Sequence, residues 1–511
     1  WSQQGYPLVP HLAKSWDISP DYRVFTFHLR RGMKWSDGVP VTADDITFWY
    51  EGEVKGLGIS PPDILRRPGG DEIAKVEKID DLTVRFTFDK PWVLFIERLA
   101  SSRTNCGDGA SSSFQEYCVP SHYLRQFHPT FGNQALIAQK MRELNVPTAR
   151  ALYVRMKDWK NPEQPRLWPW IARTNNASSP YVFVRNPYYP AVDTAGNQLP
   201  YLDRLVIEVW PQDVFGLIAS SGQVSMQDRY IRYDDHVLLT TEAKRNHYEV
   251  YDWYSGDRSA FTIFPVINRV ADPARPDTVW KHQLLNDRRF RQALSLAINR
   301  KDIIDALYNG QVVPAQLDPG MGSPFHSDRL FHSYTRHDPT RANALLDELG
   351  LTRRDREGYR TFPDGSRMVW YLSMTEVTNN DPAQFVIDDW AGVGVRCMPQ
   401  ITARNLFQLK KAVLEHDFSV WHGESEFLPL IEPRNFAPTA SDAFYAPGYA
   451  FWFMFGGMSG SAEAAQSPRA IAPPAGHPLL RNLETLNLIY QTTDPARRIA
   501  LFHEIAARNA E

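Results

Sequence analysis

The chain has 511 residues, more than a single hydrophobic core normally holds, so the sequence predicts two or three lobes. Its formal charge is −3, from 56 basic and 59 acidic residues, which excludes a protein that binds nucleic acid through bulk charge. The most apolar stretch, Tyr449–Phe455, is far too short to cross a bilayer.

The opening segment, Leu12–Val54, carries several local signals in a fixed order. Along Arg23–Leu29, Phe25, Phe27 and Leu29 alternate with Val24, Thr26 and His28, a period of two that predicts a half-buried strand. The turn sequence W-S-D-G follows and ends at Gly38. Thr42 and Asp45, three residues apart in T-A-D-D, predict a capped helix start.

This order of aromatic strand, W-S-D-G turn and T-A-D-D helix resembles the signature of the family 5 extracellular solute-binding proteins. Members are the periplasmic or lipid-anchored receptors of peptide, nickel and oligosaccharide ABC importers. The stretch NDRRFRQALSLAINR, which ends at Arg300, resembles the second signature of the family. The resemblance covers essentially the whole chain and implies an α/β fold: the bilobal periplasmic-binding-protein type II fold with an accessory lobe.

The resemblance also implies a division into segments. Residues 1–15 are a remnant of lobe I, 16–170 the accessory lobe, 171–265 lobe I, 266–495 lobe II, and 496–511 the start of a return to lobe I. The Pro- and Trp-rich stretch Asn161–Trp170 supplies the linker that ends the accessory lobe. The chain begins at Trp1 rather than Met, and its last predicted helix runs to Glu511 without a cap. We therefore expect a fragment that lacks both termini.

Three cysteines are present. Cys106 and Cys118 bracket a loop short enough to close by a disulfide in an oxidising compartment, and a reduced pair is the alternative. Cys397 is expected to be a buried thiol. His122 and His128 are spaced unlike metal ligands and are expected to be surface or structural residues. No metal and no cofactor are therefore expected.

In the second half of the chain, strand patterns at Met368–Leu372 and Val393–Cys397 flank a helix pattern at Gln384–Trp390. A third strand is predicted to end at Trp421. This alternation predicts a mixed sheet with helices on its faces.

No catalytic constellation is found along the sequence: there is no G-x-S-x-G elbow, no H-E-x-x-H, and no phosphate- or dinucleotide-binding loop. The pairs Asp44-Asp45 and Asp388-Asp389 are adjacent, so on a helix their side chains point about 100° apart and cannot form an acid–base couple. The sequence predicts a protein that is not an enzyme, and an α/β hydrolase is the remote alternative.

The stretch from Phe418 to Phe436 is the best candidate for ligand specificity. In peptide-binding members of the family, the equivalent stretch typically carries an Asp that pairs with the α-ammonium group of the ligand. Here no Asp adjoins Trp421, and Glu424 and Glu426 offer the acids instead. Trp421 is expected either to stack on ligand or to pack in the core.

The stretch Ala440–Gly457 is dense in rings, and Trp452 is expected either to face a sugar or peptide ligand or to pack in the core. The predicted ligand-binding residues are thus Trp421, His422, Glu424, Glu426 and Trp452.

The function predicted first is a peptide receptor of an ABC importer that closes over its ligand by a hinge; an oligosaccharide receptor is the alternative. Its expected partners are the peptide or oligosaccharide ligand and the ABC permease and ATPase subunits, with no nucleic acid. A monomer is expected, in the periplasm or outside the cell, with a lipid anchor as one alternative.

Overall fold

The computed structural model describes residues 8–57, 63–65, 67, 72–100, 104–105, 115–174, 179–228, 231–252, 259–376, 378–423, 427 and 429–511. The chain divides into two compact units, Trp1–Pro211 and Gln212–Glu511. This division lies between the boundaries predicted at residues 170 and 265, and the finer five-segment division stays a prediction.

The first unit is organised around an antiparallel sheet in the order β1-β2-β4-β3. Its strands are β1 (Ala13–Ile18), β2 (Val24–Leu29), β3 (Lys75–Asp80) and β4 (Thr83–Thr87). The alternation predicted for β2 is confirmed, because Phe25, Phe27 and Leu29 are buried while the residues between them are half-exposed.

Helix α1 (Ala43–Phe48) begins as predicted, with Thr42 and Asp45 forming a reciprocal capping box. The chain then continues as a π-helix over Trp49–Gly56, which the sequence pattern did not predict.

The remaining elements of the first unit are α2 (Phe95–Leu99), β5 (Thr104–Asn105), β6 (Gln115–Glu116), α3 (Ser121–Leu124), α4 (Gln134–Leu144), α5 (Ala149–Lys157), β7 (Trp170–Ala172), β8 (Tyr181–Arg185) and β9 (Arg204–Ile207). Strands β7, β8 and β9 form a separate antiparallel sheet in that order.

The second unit combines many helices with one four-stranded sheet. Its elements are α6 (Phe215–Ser220), α7 (His236–Asn246), β10 (Thr262–Pro265), α8 (Pro276–Asn286), α9 (Arg288–Ala297), α10 (Arg300–Tyr308), α11 (Asp328–Phe331), α12 (Pro339–Glu348), β11 (Trp370–Thr375), α13 (Pro382–Gly392), β12 (Cys397–Thr402), α14 (Arg404–Ala412), β13 (Phe418–Trp421), α15 (Pro447–Met454), α16 (Ala462–Gln466), α17 (Pro478–Ile489) and α18 (Pro495–Asn509).

The sheet of the second unit runs in the order β10-β13-β11-β12. Strand β11 pairs in parallel with both β12 and β13, and β10 is antiparallel to β13. Side chains of β11 and β13 on one face join the core formed with α9 and α13. On the other face, Trp421 packs with Phe407 of α14. Helices therefore cover both faces, as the strand–helix alternation predicted.

The amino end of this sheet is held by a buried cluster of charges. Asp417, directly before β13, accepts hydrogen bonds from Lys281 Nζ at 2.7 Å and from the backbone N–H of Tyr371 at 3.1 Å. The guanidinium of Arg269 completes the cluster. Because each charge is paired, the cluster fixes the start of β13 beside β11.

Two strand predictions were wrong in their bounds, since β11 and β12 both begin and end later in the chain than predicted. Val393 caps α13, Gly394 has a φ of 81°, and the N–H of Val395 bonds back to Trp390 O at 2.8 Å. These residues therefore terminate the helix instead of starting a strand. Among the described residues, no helix is both long and apolar enough to cross a bilayer.

Candidate functional site

The candidate site is the carboxyl edge, which we define as the residues at and just after the ends of the three parallel strands. They are Thr375, Glu376, Thr402, Arg404, Trp421, His422 and Gly423. In open α/β sheets, ligands bind beyond the carboxyl ends of the strands, next to the point where the connections change direction. Here the chain passes from β12 back across β11 to reach β13, which makes this edge the natural place for a ligand.

Trp421 is buried at the base of the carboxyl edge, with 6% of its surface exposed. Its ring lies 5.7 Å from the ring of Phe407 and 5.4 Å from that of Phe444, at shallow angles. The guanidinium carbon of Arg404 lies 5.4 Å from the centre of the same ring. Trp421 therefore packs in the core and supports an exposed arginine, and its contact with ligand stays a prediction.

Glu376 and Arg404 are exposed at the carboxyl edge, and neither was among the predicted site residues. The Glu376 carboxylate accepts a hydrogen bond from the backbone N–H of Arg404 at 3.3 Å. The cap residue Ala403 has no side-chain acceptor, so Glu376 satisfies a donor at the start of α14. With correct strand ends, both residues could have been found as charged residues that lie one or two positions after the end of a strand.

His422 follows Trp421 and stacks on it, with ring centres 5.3 Å apart. Its Nδ1 lies 2.7 Å from the carbonyl oxygen of Gly423. The N–H of Gly423 donates to Ser259 O at 2.7 Å, which ties the end of β13 to the chain before β10. Trp421 and His422 are thus the two predicted residues that the structure brings together. Glu424 and Glu426 lie outside the described residues.

Trp452 lies on α15, half-buried against Gly457. A side chain at Gly457 would approach the indole ring to 2.2 Å, so this glycine leaves room for the tryptophan. Tyr449, Phe451 and Phe453 on the same helix are buried. Most of the aromatic stretch therefore packs in the core, and ligand contact by Trp452 stays a prediction.

The remaining candidate residues make structural contacts. Cys118 is buried and disulfide-bonded, whereas Cys106 lies outside the described residues, so their pairing stays a prediction. Cys397 is a free buried thiol, and burial raises its pKa to about 12. His122 Nε2 lies 2.7 Å from Asp37, and buried His128 lies 3.1 Å from Gly52 O. Across the described part of the chain, no group of three His, Cys, Asp or Glu side chains is arranged to hold a metal.

The T-A-D-D signature serves the scaffold of the first unit. Asp45, 2% exposed, accepts hydrogen bonds from Trp35 Nε1 and the Thr42 N–H, each at 3.0 Å. Its other oxygen accepts from the N–H and the hydroxyl of Ser121, at 3.0 and 2.6 Å. One carboxylate thus joins the W-S-D-G turn, the start of α1 and the start of α3.

The first unit also contains an apolar cavity of about 540 Å³. It is bounded by the inner face of β2 and β4 and by the start of α1, with Phe27, Phe86 and Ile46 in its wall. His11 lines it too, and burial followed by the charge of Arg30 lowers the pKa of this imidazole. The predicted ligand residues all belong to the second unit.

A sheet covered by helices on both faces, with polar and aromatic groups collected at its carboxyl edge, is an α/β architecture in which ligands commonly bind at that edge. Residues 7–428 match the family described as "Bacterial extracellular solute-binding proteins, family 5 Middle". The chain belongs to this family.

Similar proteins include the "Periplasmic alpha-galactoside-binding protein" of Rhizobium meliloti, 30% identical over 84% of this chain and 60% of that protein. The "Dipeptide-binding protein" of Escherichia coli is 24% identical over 76% of this chain and 62% of its own length. A solved structure titled "oligopeptide-binding protein OppA" is 34% identical, with a TM-score of 0.66 over 99% of this chain and 78% of that one. The chain spans about three fifths of the length of the curated relatives it matches.

Proposed function

We propose that this protein is the solute-binding receptor of an ABC importer, which captures its ligand by hinge closure and delivers it to a membrane permease. The observation that carries the proposal is the carboxyl edge, where an arginine supported by a buried tryptophan stands beside a carboxylate and a histidine. The match to the family over residues 7–428 supports it. Such a receptor makes and breaks no bond, so we expect the ligand to be released unchanged.

The first ligand class we propose is a peptide. The solved oligopeptide-binding protein is 34% identical over nearly the whole chain, which supports this choice. Arg404 would then pair with a peptide carboxylate, since a guanidinium group binds carboxylates with two hydrogen bonds.

An oligosaccharide is the second ligand class, because the α-galactoside-binding relative covers 84% of the chain. The residue after Trp421 is His422, so no acid adjoins the tryptophan in the sequence, where peptide-binding members of the family typically carry an Asp. An imidazole and a guanidinium can both donate hydrogen bonds to sugar hydroxyls.

The cellular setting follows from the same proposal. We place the protein in the periplasm or outside the cell, as a monomer, with lipid anchoring as an alternative to a free receptor. The segment boundaries at residues 15, 170, 265 and 495 belong to this proposal as well.

Thermal unfolding with a panel of di- to pentapeptides and α-galactosides tests the function. A ligand that binds only the folded state at a hundredfold excess over its Kd stabilises it by about 2.7 kcal/mol. We expect one class to raise the Tm and to be recovered unchanged by mass spectrometry. Stabilisation by neither class, or release of a cleaved product, would reject the receptor function.

Replacement of the arginine at the carboxyl edge tests the site itself. We expect Arg404→Ala to weaken ligand binding by about 1.5–3 kcal/mol, the range for a hydrogen bond to a charged group. Arg469→Ala is the matched control, because Arg469 also covers an aromatic ring, that of Phe451 at 4.7 Å, but follows α16 and not a strand of the sheet. Equal ligand affinities for the two variants would remove Arg404 from the site.

A further inference from the structure

Helices α4 and α5 of the first unit carry a local excess of positive charge. We call residues 125–160 the basic hairpin, because α4 and α5 pack against each other and are joined by a short connection. The basic hairpin contains seven lysines and arginines and only two acidic residues, whereas the whole chain has a formal charge of −3. The basic hairpin is therefore locally positive, although the net charge of the whole chain is slightly negative.

Three of these cations have local partners. Lys157 donates to the buried carboxylate of Glu53 at 2.6 Å, and Lys140 pairs with Glu143 at 3.1 Å. Arg125 lies over the ring of Phe48 at 4.9 Å. These contacts belong to the packing of the unit.

Four exposed cations remain, and within the described residues no carboxylate lies at ion-pair distance from any of them. They are Arg142, Arg150, Arg155 and Lys160. Exposed cations without fixed partners stay available to an external anionic surface.

Two of the four exposed cations lie on α5 and point away from the protein. Leu152, Tyr153 and Met156 form the buried side of this helix, so Arg150 and Arg155 lie on the opposite side. Val154 lies between them with 53% of its surface exposed. This face therefore combines charge with exposed apolar surface.

The other two cations extend the same kind of surface. Arg142 stands in the last turn of α4, so it lies close in sequence to the connection that leads to α5. Phe131, just before α4, exposes 49% of its surface. Lys160 follows α5 and lies over the ring of Trp159 at 6.0 Å. Cations interleaved with exposed apolar and aromatic side chains are typical of surfaces that bind lipid headgroups.

We propose that the basic hairpin binds anionic phospholipid headgroups, which brings this receptor to the membrane that holds its permease. The proposal rests on the proposed function for its location, because a receptor that delivers ligand to a permease works at a bilayer surface. Each Lys or Arg near an anionic bilayer contributes about 1 kcal/mol of attraction, and salt screens that attraction. The apolar side chains add contact with the headgroup region.

Vesicle co-sedimentation of the whole chain, without ligand, tests the proposal. The probes are vesicles of phosphatidylcholine alone and vesicles with about 30% phosphatidylglycerol. We expect binding to the anionic vesicles only, falling steeply between about 0.05 M and 0.5 M salt. The triple variant R142Q/R150Q/R155Q should lose about a hundredfold in partition coefficient.

The matched control is K14Q/R31Q/R204Q, which removes the same number of exposed positive charges from the same unit. It should bind anionic vesicles like the unmodified chain. No binding to anionic vesicles, equal loss in both variants, or binding to phosphatidylcholine alone would overturn the proposal. Circular dichroism checks that each variant is folded. Because no transported ligand is present, this result is independent of the Tm measurements that test the receptor function.

Discussion

A single carboxylate, that of Asp45, accepts four hydrogen bonds in the interior of the first unit. Two come from the backbone, one from an indole and one from a hydroxyl, so both carboxylate oxygens are fully used. Ser121 lies 76 residues further along the chain. The contact therefore fixes parts of the unit that are distant in sequence, and its loss cannot be repaired locally.

We expect Asp45→Ala to lower the free energy of unfolding of the first unit by about 3 kcal/mol, because one buried and three partly buried donors lose their acceptor. Chemical denaturation measures this loss. Asp44→Ala is the control, since Asp44 is exposed and pairs with Lys78 at the surface. That variant should lose less than about 1 kcal/mol. Similar losses in both variants would show that burial of Asp45 is unimportant.

His326 in the second unit has a carboxylate at each ring nitrogen. Its Nδ1 lies 2.6 Å from Asp318 and its Nε2 lies 3.0 Å from Asp328. A neutral imidazole can donate only one hydrogen bond, so this geometry needs the protonated ring. Burial alone lowers the pKa of His326, but the two aspartates outweigh burial and raise the pKa above its ordinary value of 6.5. Ser323 of the same loop donates to Phe427 O at 3.3 Å, within the segment predicted for specificity.

The raised pKa of His326 predicts how the stability of the second unit changes with pH. Its stabilising contribution is fully present below pH 6.5, the ordinary pKa, and is lost as the pH rises through the higher pKa of the folded state. We expect His326→Gln to be less stable than the unmodified chain at pH 6, and the difference to shrink towards pH 9. Denaturation at several pH values measures it. A difference between His326→Gln and the unmodified chain that grows with pH would contradict the assignment.

At the scale of elements, the bounds of a strand were predictable where apolar and polar residues alternate, and less so where they do not alternate regularly. β2 alternates, and β13 ends at Trp421 as predicted. β11 (WYLSMT) is buried at five of its six residues and β12 (CMPQIT) at only one, so neither strand alternates regularly and neither sequence marks its own end. Glu376 and Arg404 were missed for this reason, because each follows a strand whose end was placed too early. The π-helix Trp49–Gly56 carries the same apolar spacing as an α-helix and was not separable from one.

Gly394 lies in the turn that ends α13, and its backbone conformation and surroundings leave no room for a side chain. Its φ is 81°, and an added Cβ would lie 2.2 Å from an Arg354 nitrogen and 3.2 Å from Cγ of buried Arg360. We expect Gly394→Ala to destabilise the second unit by at least about 2 kcal/mol, from backbone strain and crowding together.

Gly392, two residues earlier, is the matched control for Gly394. An added Cβ there meets no atom within 4 Å, and the residue is the last of the helix. We expect Gly392→Ala to be neutral or to stabilise by up to about 1 kcal/mol, as alanine favours a helix over glycine. Thermal unfolding compares the two variants, and a neutral Gly394→Ala would contradict the argument.

At the scale of the whole molecule, the two compact units predict separable local stability. We expect Asp45→Ala to speed amide hydrogen exchange within residues 8–211 and Gly394→Ala within residues 212–511. Mass spectrometry of exchanged peptides measures both. Faster exchange throughout the chain in either variant would show that the units unfold together.

The family and its fold were predictable because their signature is local: Thr42, Asp45 and Asp287 act through caps and turns that the sequence displays. The site was only partly predictable, since it is assembled from the ends of three strands. Trp421 shows why, because a tryptophan at a strand end is compatible with packing or with binding. Trp421 lies in the core because it packs against Phe407 and Phe444, which belong to other parts of the chain.

The stack of Arg404 on Trp421 gives the carboxyl edge a built-in optical reporter. Indole emission responds to a nearby charge, so a ligand that draws the guanidinium away from the ring changes the fluorescence of this tryptophan. The chain has 15 tryptophans, but a difference spectrum against Trp421→Phe isolates this one. The fluorescence of Trp421 would therefore report ligand binding at the carboxyl edge in real time and without an added label.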